Sequence, residues 1–213
     1  MNTVDSLDPI AGRGLADFDA MVTRQWHALS GPGVWFDGAE QLEIAAEARG
    51  AMAGRPSGER LDRAVSDATR RVAAEAWTIR PADIAGWIEA GVRVEAYVEL
   101  LGIVARIAAI DTTMFGLGLD ERPLPTPRDG APSNQTVEEA RPDKGWVPTV
   151  GEAHPLTALS AVPGAVDLQF DVHGTLYLSL DQMNDPHASR DGVTRPQIEL
   201  AAARTSYLNE CFF

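Results

Sequence analysis

The sequence predicts an all-α protein. Apolar residues recur three and four positions apart along most of the chain, which is the spacing of one helix face. Glycine and proline residues end several of these periodic segments. No segment shows the apolar–polar alternation that is typical of a strand. Together these observations favour a bundle of helices.

The predicted helices differ in how they begin and in how much of their surface is apolar. Pro81 suits a first helical position, and Asp83 in the first turn complements the helix dipole. Thr194 and Gln197 fit a capping box, which predicts the start of the last helix. The most apolar helix is predicted to be buried at the centre of the protein. In chain order the predicted helices are Asp17–Leu29, Ala39–Met52, Glu59–Trp77, Pro81–Gly91, the central Val94–Leu117, Ala165–Leu178 and a helix from Thr194.

A proline-rich segment divides the chain. From Leu119 to Pro155 prolines are too frequent for a long helix, so an irregular linker is predicted there. A connection of this length is unusual inside a compact domain and indicates a boundary between units. We therefore predict three parts: residues 1–118, the linker 119–155, and residues 156–213.

Two short segments of the chain have similar sequences. Gln41–Ala46 reads QLEIAA, and Gln197–Ala202 reads QIELAA. A true internal repeat would make the parts before and after the linker related halves. In that alignment Arg55 stands where Cys211 stands in the second copy.

Composition excludes several functions and partners. The net charge of −13 argues against a nucleic acid or an anionic membrane, since both attract a Lys/Arg excess. No apolar run approaches the roughly 20 residues that span a bilayer. The start of the chain does not resemble a signal peptide, and its single cysteine cannot form an internal disulfide. We therefore expect a cytoplasmic protein.

Other chemical motifs are weak in this sequence. Asp171 with His173, and Asp185 with His187, could be imagined as metal ligands, but the four histidines are scattered and lack cysteine partners. No Gly-x-Ser-x-Gly element supports a serine hydrolase. We expect neither a metal nor another cofactor.

The strongest motif joins Glu199 to Cys211, with eleven residues between them. This spacing resembles the first part of the alkylhydroperoxidase D-like (carboxymuconolactone decarboxylase-like) motif. That motif continues with two residues, a second cysteine, three residues and a histidine. Further segments resemble the tandem-type members of the family in order and spacing, and the resemblance extends from about Leu29 onward. They are WFDGAE at 35–40, YVELLGIV at 97–104, PLP at 123–125 and WVP at 146–148.

The resemblance implies an all-helical, oligomeric protein with two related halves, of which the first lacks redox cysteines. Complete members are similar to thiol peroxidases that reduce organic hydroperoxides with a dithiol reductant. In them the second cysteine attacks the peroxide, the first resolves it as a disulfide, and a glutamate and a histidine relay protons. Carried over to this chain, Cys211 takes the resolving role and Glu199 takes a relay role. A homo-oligomer without a cofactor is expected.

Helix geometry limits how these two residues could act together. On one unbroken helix, Glu199 and Cys211 would be separated by about 18 Å along the axis, too far for proton transfer. We therefore expect the chain to turn before Cys211. Asn209 is the predicted N-cap of a following helix, in whose first turn the dipole would favour a thiolate.

Three functions are compatible with the sequence. The first is a peroxidase; the second is a non-catalytic oligomeric or binding subunit, with which Arg55 is consistent; the third is a cofactor-free decarboxylase of the same superfamily. Some members resemble selenoproteins with a Cys-x-x-selenocysteine pair, in which the selenocysteine is encoded by UGA. We accordingly expect an in-frame UGA after the Phe213 codon, with a frameshift or a plain stop as alternatives. The chain ending at Phe213 is expected to be inactive.

Overall fold

The computed structural model describes residues 9–56 and 58–211. Within these residues the protein is all-α, as predicted, with one two-stranded hairpin. The helices are α1 Pro9–Ser30, α2 Gly38–Met52, α3 Arg63–Ala74, α4 Pro81–Glu89, α5 Val94–Gly116, α6 Ala165–Leu176, α7 Leu180–Met183 and α8 Arg195–Leu208, and the strands are β1 Ser189–Arg190 and β2 Val193–Thr194.

The chain forms two compact units. The larger unit is the continuous range Arg24–Gln169, and the smaller one combines residues up to Thr23 with residues from Phe170 onward. Helices α1 and α6 each contribute to both units. The division predicted at 118 and 155 stays a prediction.

Helix α5 supplies the centre of the larger unit, as its apolar sequence predicts. Its residues Leu100, Ile103 and Ile110 are fully buried, and α2 and α3 pack beside it. Because α5 is covered on most sides, apolar residues surround much of its circumference. The same core contains Ile44 and Ala68 from α2 and α3.

Local capping residues set several helix starts. Asp37 accepts a hydrogen bond from the Glu40 amide at 2.9 Å, and Glu40 accepts one from the Asp37 amide at 2.9 Å.

The helix predicted at Glu59–Trp77 is wrong at both ends, because α3 begins later and ends earlier than predicted. Asp62 caps α3 by accepting a hydrogen bond from the Ala64 amide at 2.9 Å, and after Ala74 the chain continues into a 3₁₀ turn.

The predicted irregular segment is confirmed, and within the larger unit hydrogen bonds join its backbone to α1. No helix or strand lies in the described chain from Leu119 to His154. The indole of Trp26 donates to the Pro123 carbonyl at 2.8 Å, and the Arg128 amide donates to the Ser30 carbonyl at 2.7 Å. The segment is therefore ordered by tertiary contacts rather than by secondary structure.

In the smaller unit, β1 and β2 form an antiparallel hairpin that leads into α8. Ser189 pairs with Thr194, and Arg190 pairs with Val193. The two connecting residues have φ values of 50° and 85°, which a type I′ turn requires. The hairpin fixes the point at which α8 begins.

Candidate functional site

Helix α8 carries Glu199, and its start is fixed by the predicted capping box. The Thr194 amide donates to Gln197 Oε1 at 2.9 Å. Arg195 ties this first turn to α7, because its Nη1 donates to the carbonyls of Gln182 at 2.9 Å and Met183 at 3.1 Å. The base of α8 is thus anchored, although none of its residues is fully buried.

The Glu199 carboxylate lies in a cluster of polar and aromatic side chains. The Tyr177 hydroxyl donates to Glu199 Oε1 at 2.7 Å, and Arg195 forms an ion pair with the same oxygen. The Tyr177 hydroxyl and then the Arg195 guanidinium lower the pKa of Glu199, because both stabilise the carboxylate. Burial and then the bond to Glu199 raise the pKa of Tyr177. The ring of His173 meets that of Tyr177 edge-to-face at 5.2 Å.

Two further contacts orient Tyr177. Arg190 on β1 donates from Nη1 to the carbonyls of Gly174 at 3.0 Å and Tyr177 at 2.9 Å, so it closes the C-terminal end of α6. His173 Nδ1 lies 2.9 Å from the Leu178 carbonyl oxygen. The hairpin and α6 together hold the phenol against α8.

Cys211 lies just beyond α8, in the turn that ends the helix. The helix ends at Leu208, as expected from the need for a turn before the thiol. The Cys211 amide donates to the Ser206 carbonyl at 2.9 Å, and Glu210 has a φ of 53°; together these form a Schellman closure. Asn209 is the C-cap residue of α8, and its predicted role as the N-cap of a following helix stays a prediction. The helix predicted to follow falls outside the described residues.

The structure does not bring Glu199 and Cys211 into one cluster. Cys211 is a free, exposed thiol beside a shallow cleft of about 560 Å³. That cleft is lined by Ser206, Tyr207, Leu208, Glu210 and Cys211, whereas Glu199 contacts Tyr177 and Arg195. The two predicted site residues therefore sit at opposite ends of the same helical segment.

The two similar segments have different surroundings. Ile44 on α2 is fully buried, whereas Leu200, at the matching position on α8, is 72% exposed. Glu43 and Arg55, which match Glu199 and Cys211, both line a cavity of about 640 Å³. Glu43 is held there by an ion pair with Arg60 at 2.5 Å.

Two kinds of feature are absent from the described part of the chain. Among residues 9–56 and 58–211, no three His, Cys, Asp or Glu side chains are grouped so that they could hold a metal ion. No helix within the same residues combines the length and the apolar character needed to cross a bilayer.

Sequence reasoning missed Tyr177, Arg195 and Arg190. Arg195 could have been found, because it precedes Glu199 by the four positions that pair charges on a helix. Tyr177 and Arg190 gave no local signal, since their contacts join separate elements.

Replacement of Tyr177 by phenylalanine is expected to raise the pKa of Glu199 toward its ordinary value. The hydroxyl is the main group that stabilises this carboxylate, and phenylalanine keeps the ring without the donor. An NMR titration of the side-chain carboxyl carbon measures the change. Tyr207→Phe on the exposed surface of α8 is the matched control and should leave the pKa of Glu199 unchanged. An unaltered Glu199 pKa in Tyr177→Phe would contradict the assigned hydrogen bond.

Comparison with known proteins gives no match: no family model, no curated protein and no solved structure matches this chain. Any assignment of function therefore depends on the residues and geometry described above.

Proposed function

We propose that this protein is an alkylhydroperoxidase D-like thiol peroxidase built from two related helical halves and acting as a homo-oligomer. Cys211 is the resolving thiol, Glu199 belongs to a proton relay, and the substrate is an organic hydroperoxide. The observation that carries the proposal is an exposed thiol in the turn after a helix whose glutamate accepts a hydrogen bond from a tyrosine.

The chemistry needs a second redox residue besides Cys211. The thiolate or selenolate of that second residue attacks the terminal oxygen of the peroxide. The rest of the peroxide leaves as an alcohol after it takes up a proton, and the second residue remains as a sulfenic or selenenic acid. Cys211 then attacks that sulfur or selenium, the new bond forms, and water leaves. An external dithiol reduces the bond and restores both groups, so each turnover converts one peroxide and one dithiol into an alcohol, water and a disulfide.

The Tyr177–Glu199 pair is suited to passing a proton, and the proposed relay requires the reacting group to come within reach of this pair, since Cys211 itself lies beyond the other end of α8. With a lowered pKa, Glu199 is ionised at neutral pH and is a weak base. The hydrogen bond between Tyr177 and Glu199 gives a path along which a proton can move between the phenol and the carboxylate, while the total charge of the pair stays the same. Arg195 keeps the carboxylate in place during the exchange.

The proposal is tested by completing the cysteine pair. The 213-residue chain has one cysteine, so it should show negligible turnover of cumene hydroperoxide with dithiothreitol. A chain extended by one cysteine after Phe213 should form a disulfide with Cys211 and should turn over at least about tenfold faster. In that extended chain, Glu199→Gln should slow turnover by about 10–100-fold, if the relay acts as a general acid–base.

Matched variants show whether turnover is lost because a proposed site residue is changed or because any charge near the thiol is changed. Glu210→Gln, next to the thiol, should retain the turnover of the extended chain, and Cys211→Ser should lose it. Robust turnover by the 213-residue chain that Cys211→Ala abolishes would contradict the resolving role. An extended chain no faster than the original would contradict the peroxidase proposal.

A non-catalytic binding or oligomeric subunit is the second candidate. It is favoured by the first half, where Arg55 occupies the position matching the thiol and Glu43 is paired with Arg60. This candidate predicts no peroxide turnover in the extended chain while the native fold is retained. Circular dichroism of the same samples separates that result from misfolding.

A further inference from the structure

A cleft of about 590 Å³ in the larger unit combines an apolar floor with a polar rim. Its floor includes the buried side chains of Phe36, Val92 and Ala96. Arg93 and Thr136 are exposed at its edge. A volume of several hundred Å³ with a few polar groups around an apolar surface is typical of small-molecule sites.

The indole of Trp35, which also lines the cleft, carries an unused hydrogen-bond donor. Its Nε1 atom is buried and has no hydrogen-bond partner among the described residues. Buried donors in folded proteins are almost always paired, since an unpaired one costs free energy. Trp35 therefore combines an unpaired buried N–H with a side chain that lines the cleft.

Arg93 places a positive charge on the same ring. Its guanidinium carbon lies 4.5 Å from the centroid of the Trp35 ring, a cation–π distance. Its Nε lies 3.5 Å from a carboxylate oxygen of Glu95, and no hydrogen bond to a described residue involves its two terminal nitrogens. Those nitrogens form the fork that binds carboxylates with two parallel hydrogen bonds.

The start of α5 adds to this preference for an anion. Arg93 is its N-cap residue, and no side chain caps the first turn, whereas α2 is capped by Asp37. The amides at the start of a helix carry a partial positive charge and lack partners within the helix. Ala96, in this first turn, lies on the floor of the cleft.

The walls of the cleft are held in position before any ligand binds. Glu99 accepts hydrogen bonds from the amides of Val34 at 2.8 Å and Trp35 at 2.6 Å. The Asn134 amide donates to the Val34 carbonyl at 2.8 Å, and Asn134, which also lines the cleft, has a φ of 52°. Asparagine tolerates this left-handed conformation better than most residues. A fixed site loses little entropy on binding.

We propose that this cleft binds a small organic carboxylate with a flat apolar body. The carboxylate pairs with the terminal nitrogens of Arg93, and the apolar body lies on Phe36, Val92 and Ala96. A single guanidinium with Glu95 beside it favours a monoanion over a doubly charged phosphate. The proposal is independent of peroxidase activity.

The test is isothermal titration of the full chain with trans-cinnamate, whose carboxylate is attached to a flat apolar body. We expect saturable binding with a Kd below about 1 mM. The neutral analogue cinnamamide should bind at least about tenfold more weakly, because it lacks the charge. Absence of saturable cinnamate binding up to about 10 mM would overturn the proposal.

Three variants give effects of different sign. Arg93→Gln should weaken cinnamate binding at least about tenfold, and Trp35→Phe should weaken it about threefold, because phenylalanine gives the Arg93 guanidinium a weaker cation–π partner. Glu95→Gln should tighten binding about twofold to threefold, since it removes a neighbouring negative charge. Arg63→Gln, an exposed arginine outside the cleft, is the matched control and should leave binding unchanged.

Thermal melts of each variant show whether the fold is retained. Equal binding by wild type and a folded Arg93→Gln variant would overturn the proposal, as would weaker binding by Glu95→Gln.

Discussion

Replacement of Glu99 by alanine is expected to lower the free energy of unfolding by about 3–5 kcal/mol. Only 7% of Glu99 is exposed, and its two oxygens accept the amides of Val34 and Trp35. Alanine would leave these amides without an acceptor and would open a cavity beside α5. Denaturant unfolding followed by circular dichroism measures the loss. Glu89→Ala, an exposed glutamate of α4, is the control and should change stability by no more than about 0.5 kcal/mol.

The contribution of Glu99 to the stability of the fold should depend on pH in a defined direction. Burial, as the main cause, raises the pKa of Glu99, although the backbone amides and Arg106 act in the other direction. Its contribution to stability is therefore present below the ordinary carboxyl pKa and is lost as pH rises through the raised native pKa. Relative to wild type, Glu99→Gln should become more stable as pH rises from 4 to 7. A relative stability that falls over this range would contradict the raised pKa.

Replacement of Asp111 by alanine is expected to cost about 3–5 kcal/mol, because it removes the mostly buried counter-ion of a buried guanidinium and leaves only the more exposed Glu121, 3.3 Å from Arg49 Nη1. The Arg49 side chain is 5% exposed, and its Nε and Nη2 donate to the two Asp111 oxygens at 2.8 Å each. Arg49 also donates to the Arg122 carbonyl at 2.9 Å and stacks 5.6 Å from the Trp26 ring centroid. Through these contacts Arg49 joins α2 to α5 and to the start of the irregular segment.

A double variant separates the cost of leaving the Arg49 charge without Asp111 from the cost of lost packing. Arg49→Met combined with Asp111→Leu removes both charges, so it should recover at least about half of the stability lost in Asp111→Ala. Chemical denaturation of the two variants and of the control Asp120→Ala, which changes an exposed residue, makes the comparison. A double variant less stable than Asp111→Ala would show that the ion pair itself contributes most of the stability.

Helix positions were predictable where the signal is local. The apolar surface of Val94–Gly116 and the capping residues of α4 and α8 act within a few positions of one another. The start of α3 was missed because Asp62 caps the helix, while the chain before it is held to α2 by Glu47, whose carboxylate accepts the Gly58 amide at 2.9 Å. A helical pattern in the sequence does not show such a contact.

The candidate site was less predictable than the fold. Glu199 and Cys211 were predicted as site residues from their spacing, and that assignment stays a prediction. Arg195 lies at a helical spacing from Glu199. The hydrogen bond from Tyr177 joins residues 22 positions apart, and that from the Val34 amide to Glu99 joins residues 65 apart. One sequence carries no record of which distant side chains meet, so these partners required the structure.

The make-up of the smaller unit has a consequence for synthesis of the protein. This unit needs residues before Arg24 together with residues after Gln169, so the first part of α1 leaves the ribosome long before the segments with which it forms a compact unit. The whole larger unit is synthesised in between, which takes on the order of ten seconds at about 5–20 residues per second. During that interval Phe18, Met21 and Val22, which are buried in the finished protein, have no completed unit to cover them. Nascent chains should therefore depend on chaperones that bind apolar helices near the start of the chain.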